Sequence, residues 1–166
     1  MVRVTLRPFV PADLPFPGSA GSEYDDFGPR HPVIQPPPVA LHEGGGLAID
    51  VDGVVVGSVS WHWVDYGPGG GSRCPNLGIG LLPQHRGQGH GTQAQRLLAD
   101  LFFRGLNINR VEASTDVTNQ AEQRSLEKAG FTREGVLRGA QWRNGAFHDL
   151  VTYSVLRSEW QTWPAV

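Results

Sequence analysis

A single cysteine, Cys74, in a chain of 166 residues excludes an internal disulfide, and its position beside Pro75 in a glycine-rich stretch marks it as a bystander rather than a nucleophile. No apolar run approaches the roughly 20 residues that span a bilayer. The opening Met1–Arg7 alternates apolar and polar residues like a strand and lacks the layout of a signal peptide. A cytoplasmic protein with no membrane partner is expected. Charge of one sign is also lacking: a formal net charge of -2 and a pI near 6.3 leave no basic excess for nonspecific nucleic-acid binding. None of the six histidines stands at metal-ligand spacing from another, so no metal site is expected. With no internal repeat and no block of like charge, residues 1–166 read as a single domain, long enough to bury a substantial core.

What the chain does have is a glycine-punctuated loop at Gln84-His85-Arg86-Gly87-Gln88-Gly89-His90-Gly91-Thr92. Apolar residues then recur at Ala94, Leu97, Leu98, Leu101 and Phe102, the spacing of one helix face, which puts the glycines at a helix N-terminus. Unpaired N–H groups and the positive end of the helix dipole attract an anion there, and residues without a Cβ let a diphosphate come close. Arg86 can add a positive charge. A Walker loop would need Gly-Lys followed by Ser or Thr, whereas Gly91 runs directly into Thr92. Gly89, Gly91 and Ala94 satisfy the Rossmann pattern, and Glu112 lies near the distance of a ribose-binding acid. But Pro83 to Arg86 separates the glycines from their strand, and too little chain follows for further βαβ units. Coenzyme A is a third ligand that such a loop could hold.

Along the chain the order is mixed α/β. Strands are expected at residues 2–7, 47–51, 54–64, 76–82, 111–115, 131–138 and 148–156, and helices at 92–104 and 119–129. Asp52-Gly53 signals a type I′ hairpin, Gly67 to Gly71 a turn, and Gly130 a helix C-cap. Residues 11–46 are rich in proline, glycine and acidic side chains. Pro36-Pro37-Pro38 and Gly44-Gly45-Gly46 would break helices there, so a long loop with at most a short helix is expected.

Three blocks in order resemble the GNAT family of N-acetyltransferases. The family's signature is Gln or Arg, two residues, Gly, one residue, then Gly or Ala, after a strand ending near a proline. Gln84-x-x-Gly87-x-Gly89 after Leu81-Leu82-Pro83 is similar to it. Asn119 with Glu127-Lys128-Ala129-Gly130-Phe131 resembles a second family segment. Leu137-Arg138-Gly139 through Trp142-Arg143-Asn144-Gly145 to Asp149–Ser154 resembles the branch that includes the ribosomal-protein alanine acetylases. The resemblance implies a mostly antiparallel central sheet with one splayed parallel pair of strands, flanking helices, and 11–46 as the acceptor-side segment. It implies acetyl-CoA as cosubstrate, its diphosphate held by Gln84 through Thr92, its pantetheine arm bonded by the backbone of Leu81 and Leu82 and by Asn119. A backbone N–H near Leu81 or Leu82 would face the developing oxyanion. Homodimers are common in the resembling family, and Trp160 or Trp163, expected to be exposed, would serve such a contact.

At the proton-transfer positions the chain departs from those acetylases. Their serine three after the asparagine is Glu122 here, the tyrosine of other members is Leu126, and the glutamate base is matched by Gln141, whose amide takes no proton at neutral pH. Base duty then falls to Glu122, to His62 or Asp26, or to a water chain. Each residue also has a plainer reading: Glu122 as a first-turn acid that suits the helix dipole, Asn119 as an N-cap, Gln141 as a solvated hairpin residue. Trp61 and Trp63 share one strand face as core or subunit-contact residues, opposite His62. Glu23, Asp25 and Asp26 form either a flexible acidic loop or an attractant for a cationic amine. The function these readings favour is acetyl transfer to a small primary amine, because 11–46 lacks the helices that would frame a peptide cleft. A protein N-terminal acceptor is the alternative, and a noncatalytic acyl-CoA-binding regulatory module is the reading from another class.

Overall fold

The computed structural model describes residues 3–18, 21–29 and 31–164, so Val2 of the expected first strand lies outside the described residues. Strands β1 (Val4–Arg7), β2 (Gly45–Val51), β3 (Val54–Asp65), β4 (Arg73–Leu81), β5 (Arg110–Asp116), β6 (Thr132–Arg143) and β7 (Ala146–Leu156) alternate with helices α1 (His90–Gly105), α2 (Gln120–Ala129) and α3 (Arg157–Trp160). The strands form one sheet in the order β1-β2-β3-β4-β5-β7-β6. All neighbours run antiparallel except β4 and β5, the mixed architecture the sequence implied.

Strand alternation and the helical stripe meet on one side of the sheet. Val59 and Trp61 of β3, Val111 and Ala113 of β5, and Val151, Tyr153 and Val155 of β7 are buried against Ala94, Leu98 and Phe102 of α1 and Leu126 of α2. Trp61 meets the Phe102 ring edge-on at 5.4 Å, which stabilises by about 1 kcal/mol beyond area burial. Its indole N–H donates to the Glu43 carbonyl at 2.8 Å, and that of Trp63 donates to the same oxygen at 3.0 Å. Both tryptophans therefore belong to the core and hold the end of the irregular segment.

Two hairpins use left-handed residues. Asp52 (φ 51°) and Gly53 (φ 89°) make the expected turn, and Asn144 (φ 49°) and Gly145 (φ 74°) make a second one. The second extends β6 to Arg143 and β7 back to Ala146, beyond the expected 131–138 and 148–156. Gly45 and Gly46 continue β2 rather than break structure. A Cβ on Gly45 would lie 2.5 Å from the Trp61 ring and 2.6 Å from the Pro38 carbonyl, so this glycine is required by close approach. Among the described residues the preceding segment contains 3₁₀ turns at Pro11–Asp13 and Glu23–Asp25 and one antiparallel bridge between Phe16 and Val33. Phe9 and Phe16 anchor its first part in a small second core with Ala48.

Three expectations are corrected here. Cys74 lies within β4 opposite Val64 rather than in a turn, and burial pushes its thiol up to about 12, so it stays protonated. Trp160 and Trp163 are half-buried, not exposed. Trp160 stacks on Phe103 at 5.3 Å, and Trp163 packs over Gly130 beneath the Arg96 guanidinium. α3 folds back on α1 and takes Trp160 out of full exposure. No helix among the described residues is long and apolar enough to cross a membrane.

Candidate active site

The parallel pair β4–β5 is joined at only two positions, Asn76 with Glu112 and Leu77 with Ala113. Beyond Leu77 the strands part, leaving the β5-side edge of Gly78–Leu81 without a strand partner. Three cavities run through this gap. On the helix side, about 580 Å³ is bounded by Ile79–Leu81, the glycine loop and α2. A central chamber of about 300 Å³ sits between the parted strands. A bowl of about 970 Å³ opens on the face opposite the helices. Tyr24, Asp25, Ile79, Asn119 and Glu122 border both of the first two. His62, Asn76, Ser114 and Gln141 border both the chamber and the bowl.

The glycine loop builds the helix-side cavity as its spacing required. Gly87 (φ 71°) and Gly89 (φ 84°) adopt the left-handed region that other residues resist, and Gly87, Gly89 and Gly91 all face the cavity with Arg86 and Thr92. The first intrahelical bond from this end runs from Gln93 N–H to Gly89 O at 3.1 Å. The amides of His90, Gly91 and Thr92 therefore have no helical acceptor and point at the cavity mouth. Arg124 and Lys128 on α2 add charge. Open left-handed glycines, free amides and three cations suit a diphosphate. The side chains of Gln84, His85, Gln88 and His90 do not line it. Gln88 Nε2 instead donates to the Gln84 carbonyl at 3.0 Å, and His90 is buried with its Nε2 3.2 Å from Gln88 Oε1. Any part these four take in holding a cofactor falls to their backbone.

Leu81 borders the helix-side cavity, whereas Leu82 turns away from it. The Leu82 amide donates to Val56 O at 2.9 Å, and its side chain packs on the Phe9 cluster. The Leu82 amide, one of the two expected to face a developing oxyanion, is thus already paired in β3, and the strand edge open to the gap is Gly78–Leu81. Arg86 Nε donates to the Leu81 carbonyl at 3.0 Å, and its Nη2 lies 3.9 Å from Asp25.

Glu122, His62, Gln141 and Asn119 all border the central chamber. Asn119 caps α2, its Oδ1 accepting from Glu122 N–H at 3.2 Å. Burial pushes the Glu122 carboxyl up to about 7, with the Gln95 amide opposing the rise and Asp25 adding to it. Gln95 Nε2 donates to Glu122 Oε1. The other end of that amide accepts from Ser125 Oγ at 3.0 Å, which in turn lies 3.0 Å from Thr92 Oγ1. A half-buried chain of hydrogen bonds thus runs from the glycine loop to Glu122. His62 is exposed toward the cavities and makes no hydrogen bond among the described residues. Asp26 does not border the chamber; its carbonyl accepts from Asn144 N–H at 2.9 Å.

Gln141 reaches the chamber because β6 bulges. Leu137 pairs with Leu150 and Gln141 with His148, so three residues of β6 face one of β7. Gly139 (φ 57°) makes the bend, and its N–H donates to Asp149 Oδ1 at 2.7 Å. The hairpin beyond it clamps the irregular segment. Arg143 forms a buried ion pair with Asp116, donates to Glu23 O at 2.8 Å and lies 5.3 Å from the Tyr24 ring centre. Burial works against an ionised Asp116. The Thr118 hydroxyl and amide, then Arg143, outweigh it and hold the carboxyl below the usual range. Tyr24 and Asp25 are thereby fixed over the gap.

Ser125, Arg124 and Lys128, which border the helix-side cavity, and Gln95, which contacts Glu122, were given no site role by the sequence. Gln95 alone had a signal, as a polar residue beside the apolar stripe of α1. Among the described residues no group of three His, Cys, Asp or Glu could hold a metal.

Residues 36–132, more than half of the chain, match the acetyltransferase (GNAT) domain. The chain belongs to the GNAT family. Among relatives, YdaF of Bacillus subtilis (strain 168), provisionally named a ribosomal N-acetyltransferase, is 34% identical over 110 residues, covering 66% of this chain and 58% of YdaF. The structure of RimJ from Mycobacterium smegmatis in complex with CoA-disulfide superposes with a TM-score of 0.63 at 24% identity, covering 70% of this GNAT chain and 55% of that one. A SpeG spermidine N-acetyltransferase chimera from Vibrio cholerae and hSSAT gives 0.63 at 22% identity, with 72% and 70% covered. The last two establish a shared fold. The chain spans little more than half the length of YdaF.

Proposed function

We infer that this GNAT chain transfers the acetyl group of acetyl-CoA directly to a primary amine of a small molecule. The observation that carries the reading is the passage through the sheet, with a diphosphate cradle at one end, an open bowl at the other, and Glu122, His62 and Gln141 around the chamber between. The amides of His90 to Thr92 with Arg86, Arg124 and Lys128 hold the diphosphate. The open edge of β4 and Asn119 border the path of the pantetheine arm, which brings the thioester to the chamber. An amine entering from the bowl arrives as an ammonium and must lose a proton before it attacks. Glu122, with its carboxyl poised near neutrality, and His62, open toward the bowl, are the groups suited to receive that proton, directly or through water. Gln141 positions the amine by hydrogen bonding. As nitrogen bonds the acetyl carbon, the carbon–sulfur bond breaks and the thiolate takes up a proton. Fixing the two reactants in contact supplies much of the rate.

The chain acts as one catalytic domain in this reading, with 11–46 as the roof over the acceptor. A protein N-terminal amine is a second reading, favoured by the similarity to YdaF. Thiol release from acetyl-CoA across a panel of small amines and alanine-initiated peptides tests both. Release with small amines supports the first, and release with peptides alone supports the second. Stabilisation by acetyl-CoA without release from any acceptor would leave a binding module and overturn both.

A further inference from the structure

The bowl opposite the helices has the capacity of a small-molecule site, and its lining restricts what can fill it. Two carboxylates border it, and both are already paired to Arg110. Glu112, only 2% exposed, accepts from the Tyr66 hydroxyl at 2.9 Å, from Asn76 Nδ2 at 3.2 Å and from Arg110 Nη2 at 2.8 Å. Glu134 accepts from Arg110 Nη1 and Nη2 at 2.7 and 2.6 Å and from the Ser154 hydroxyl at 2.8 Å. Arg110 is thereby occupied by two acids and offers little to an anion. A second ammonium or a carboxylate carried into this space would lose water and find no counter-charge. Part of the wall is apolar. Tyr66 and Leu137 expose 63% and 51% of their surface, with Val64 and Leu150 also lining it. A peptide backbone laid there would bring a donor and an acceptor per residue against Tyr66, Leu137, Val64 and Leu150, whose side chains offer no partner beyond the Tyr66 hydroxyl already given to Glu112. With Arg73, whose guanidinium is paired to Asp65 at 2.9 Å, the lining holds two acids and two cations and sums to zero, which suits an uncharged ligand body.

We propose that the bowl binds the body of the acceptor, and that the acceptor is a primary monoamine with an aromatic or branched-alkyl body. Its single ammonium faces the window of His62, Asn76, Ser114 and Gln141, and its apolar part lies against Tyr66 and Leu137. Polyamines and extended peptides are poor occupants. The reaction at that ammonium rests on the transferase reading, whereas the preference for this body does not.

The test uses the full chain with 2-phenylethylamine, spermidine and an alanine-initiated peptide. At saturating acetyl-CoA, kcat/KM for 2-phenylethylamine is expected to exceed each of the others by about tenfold or more, the discrimination an apolar pocket supplies. Leu137→Asp, on an exposed strand position, should raise KM for 2-phenylethylamine about tenfold with the KM for acetyl-CoA unchanged. Calorimetry on the CoA-saturated protein should show one-to-one binding of 2-phenylethylamine that Leu137→Asp weakens. Spermidine or peptide used as well or better overturns the proposal and leaves the transferase reading standing. Binding indifferent to Leu137→Asp also overturns it. Binding that Leu137→Asp weakens, without turnover of any amine, upholds the bowl and removes the transferase reading.

Discussion

Replacing Glu122 by Gln separates the stability cost of this carboxylate from its chemical use. Its carboxyl stands at about 7 against an ordinary 4.5, a difference of roughly 2.5 units at about 1.4 kcal/mol each. Below pH 4.5 the group is protonated whether the chain is folded or not, and it contributes no difference. Between 4.5 and 7 the folded chain binds more protons than the unfolded one, so stability falls as pH rises, by up to ~3 kcal/mol. Above 7 the loss is complete. Glutamine cannot ionise, and it keeps an oxygen to accept the Gln95 amide. The variant should therefore match the parent near pH 4 and exceed it at pH 8 by up to ~3 kcal/mol, or about 6–12 °C in melting temperature for a domain of this size. Thermal melts of both proteins at half-unit steps from pH 4 to 8 measure this. Thiol release at pH 8 should fall about a hundredfold in Glu122→Gln, as for loss of a general acid or base, with acetyl-CoA affinity retained. A melting difference that does not change with pH would refute the burial argument. Unchanged turnover would remove Glu122 from proton transfer.

Gln95→Leu removes the amide that favours ionised Glu122, so the acidic limb of the kcat/KM profile should move to higher pH while acetyl-CoA affinity holds; an unmoved limb refutes that hydrogen-bonded chain. Arg143→Ala removes the guanidinium from Asp116, leaving it Thr118 and the His148 ring at 3.2 Å, and should cost about 1–3 kcal/mol in urea unfolding, with faster proteolysis around Tyr24; a loss below about 1 kcal/mol would mean the hairpin does not clamp that segment. Gly89→Ala places a Cβ at φ 84°, at a cost of about 1–2 kcal/mol, and should weaken acetyl-CoA binding about tenfold by calorimetry; unaltered affinity would exclude the loop as the diphosphate cradle.

Features set by near neighbours in the chain were legible. The α1 stripe, the Asp52-Gly53 turn, the Gly130 cap and the alternate glycines each depend on a few consecutive residues whose steric limits hold in any context. The second hairpin at Asn144-Gly145 was equally local, but residues 139–147 were read as a motif block and its strands came out short. Glu122, His62 and Gln141 were chosen from positions far apart, and they do border one chamber. Their company was not legible. Gln95 faces Glu122 across two helices, and Gln141 arrives through a bulge whose three-against-one pairing is a property of two strands together.

The sequence by itself determined the αβ order, the inward faces of the strands and helices, and the anion-seeking loop, because helical and strand periods and left-handed glycines act over single turns. Only the tertiary structure decided where β4 leaves β5, that Leu82 is paired into β3, that Trp160 packs on Phe103 and Trp163 over Gly130, and that the acids of the bowl are already paired to Arg110. Those outcomes depend on which distant groups share hydrogen bonds and exclude water once the sheet closes, and no run of neighbouring residues encodes that sharing.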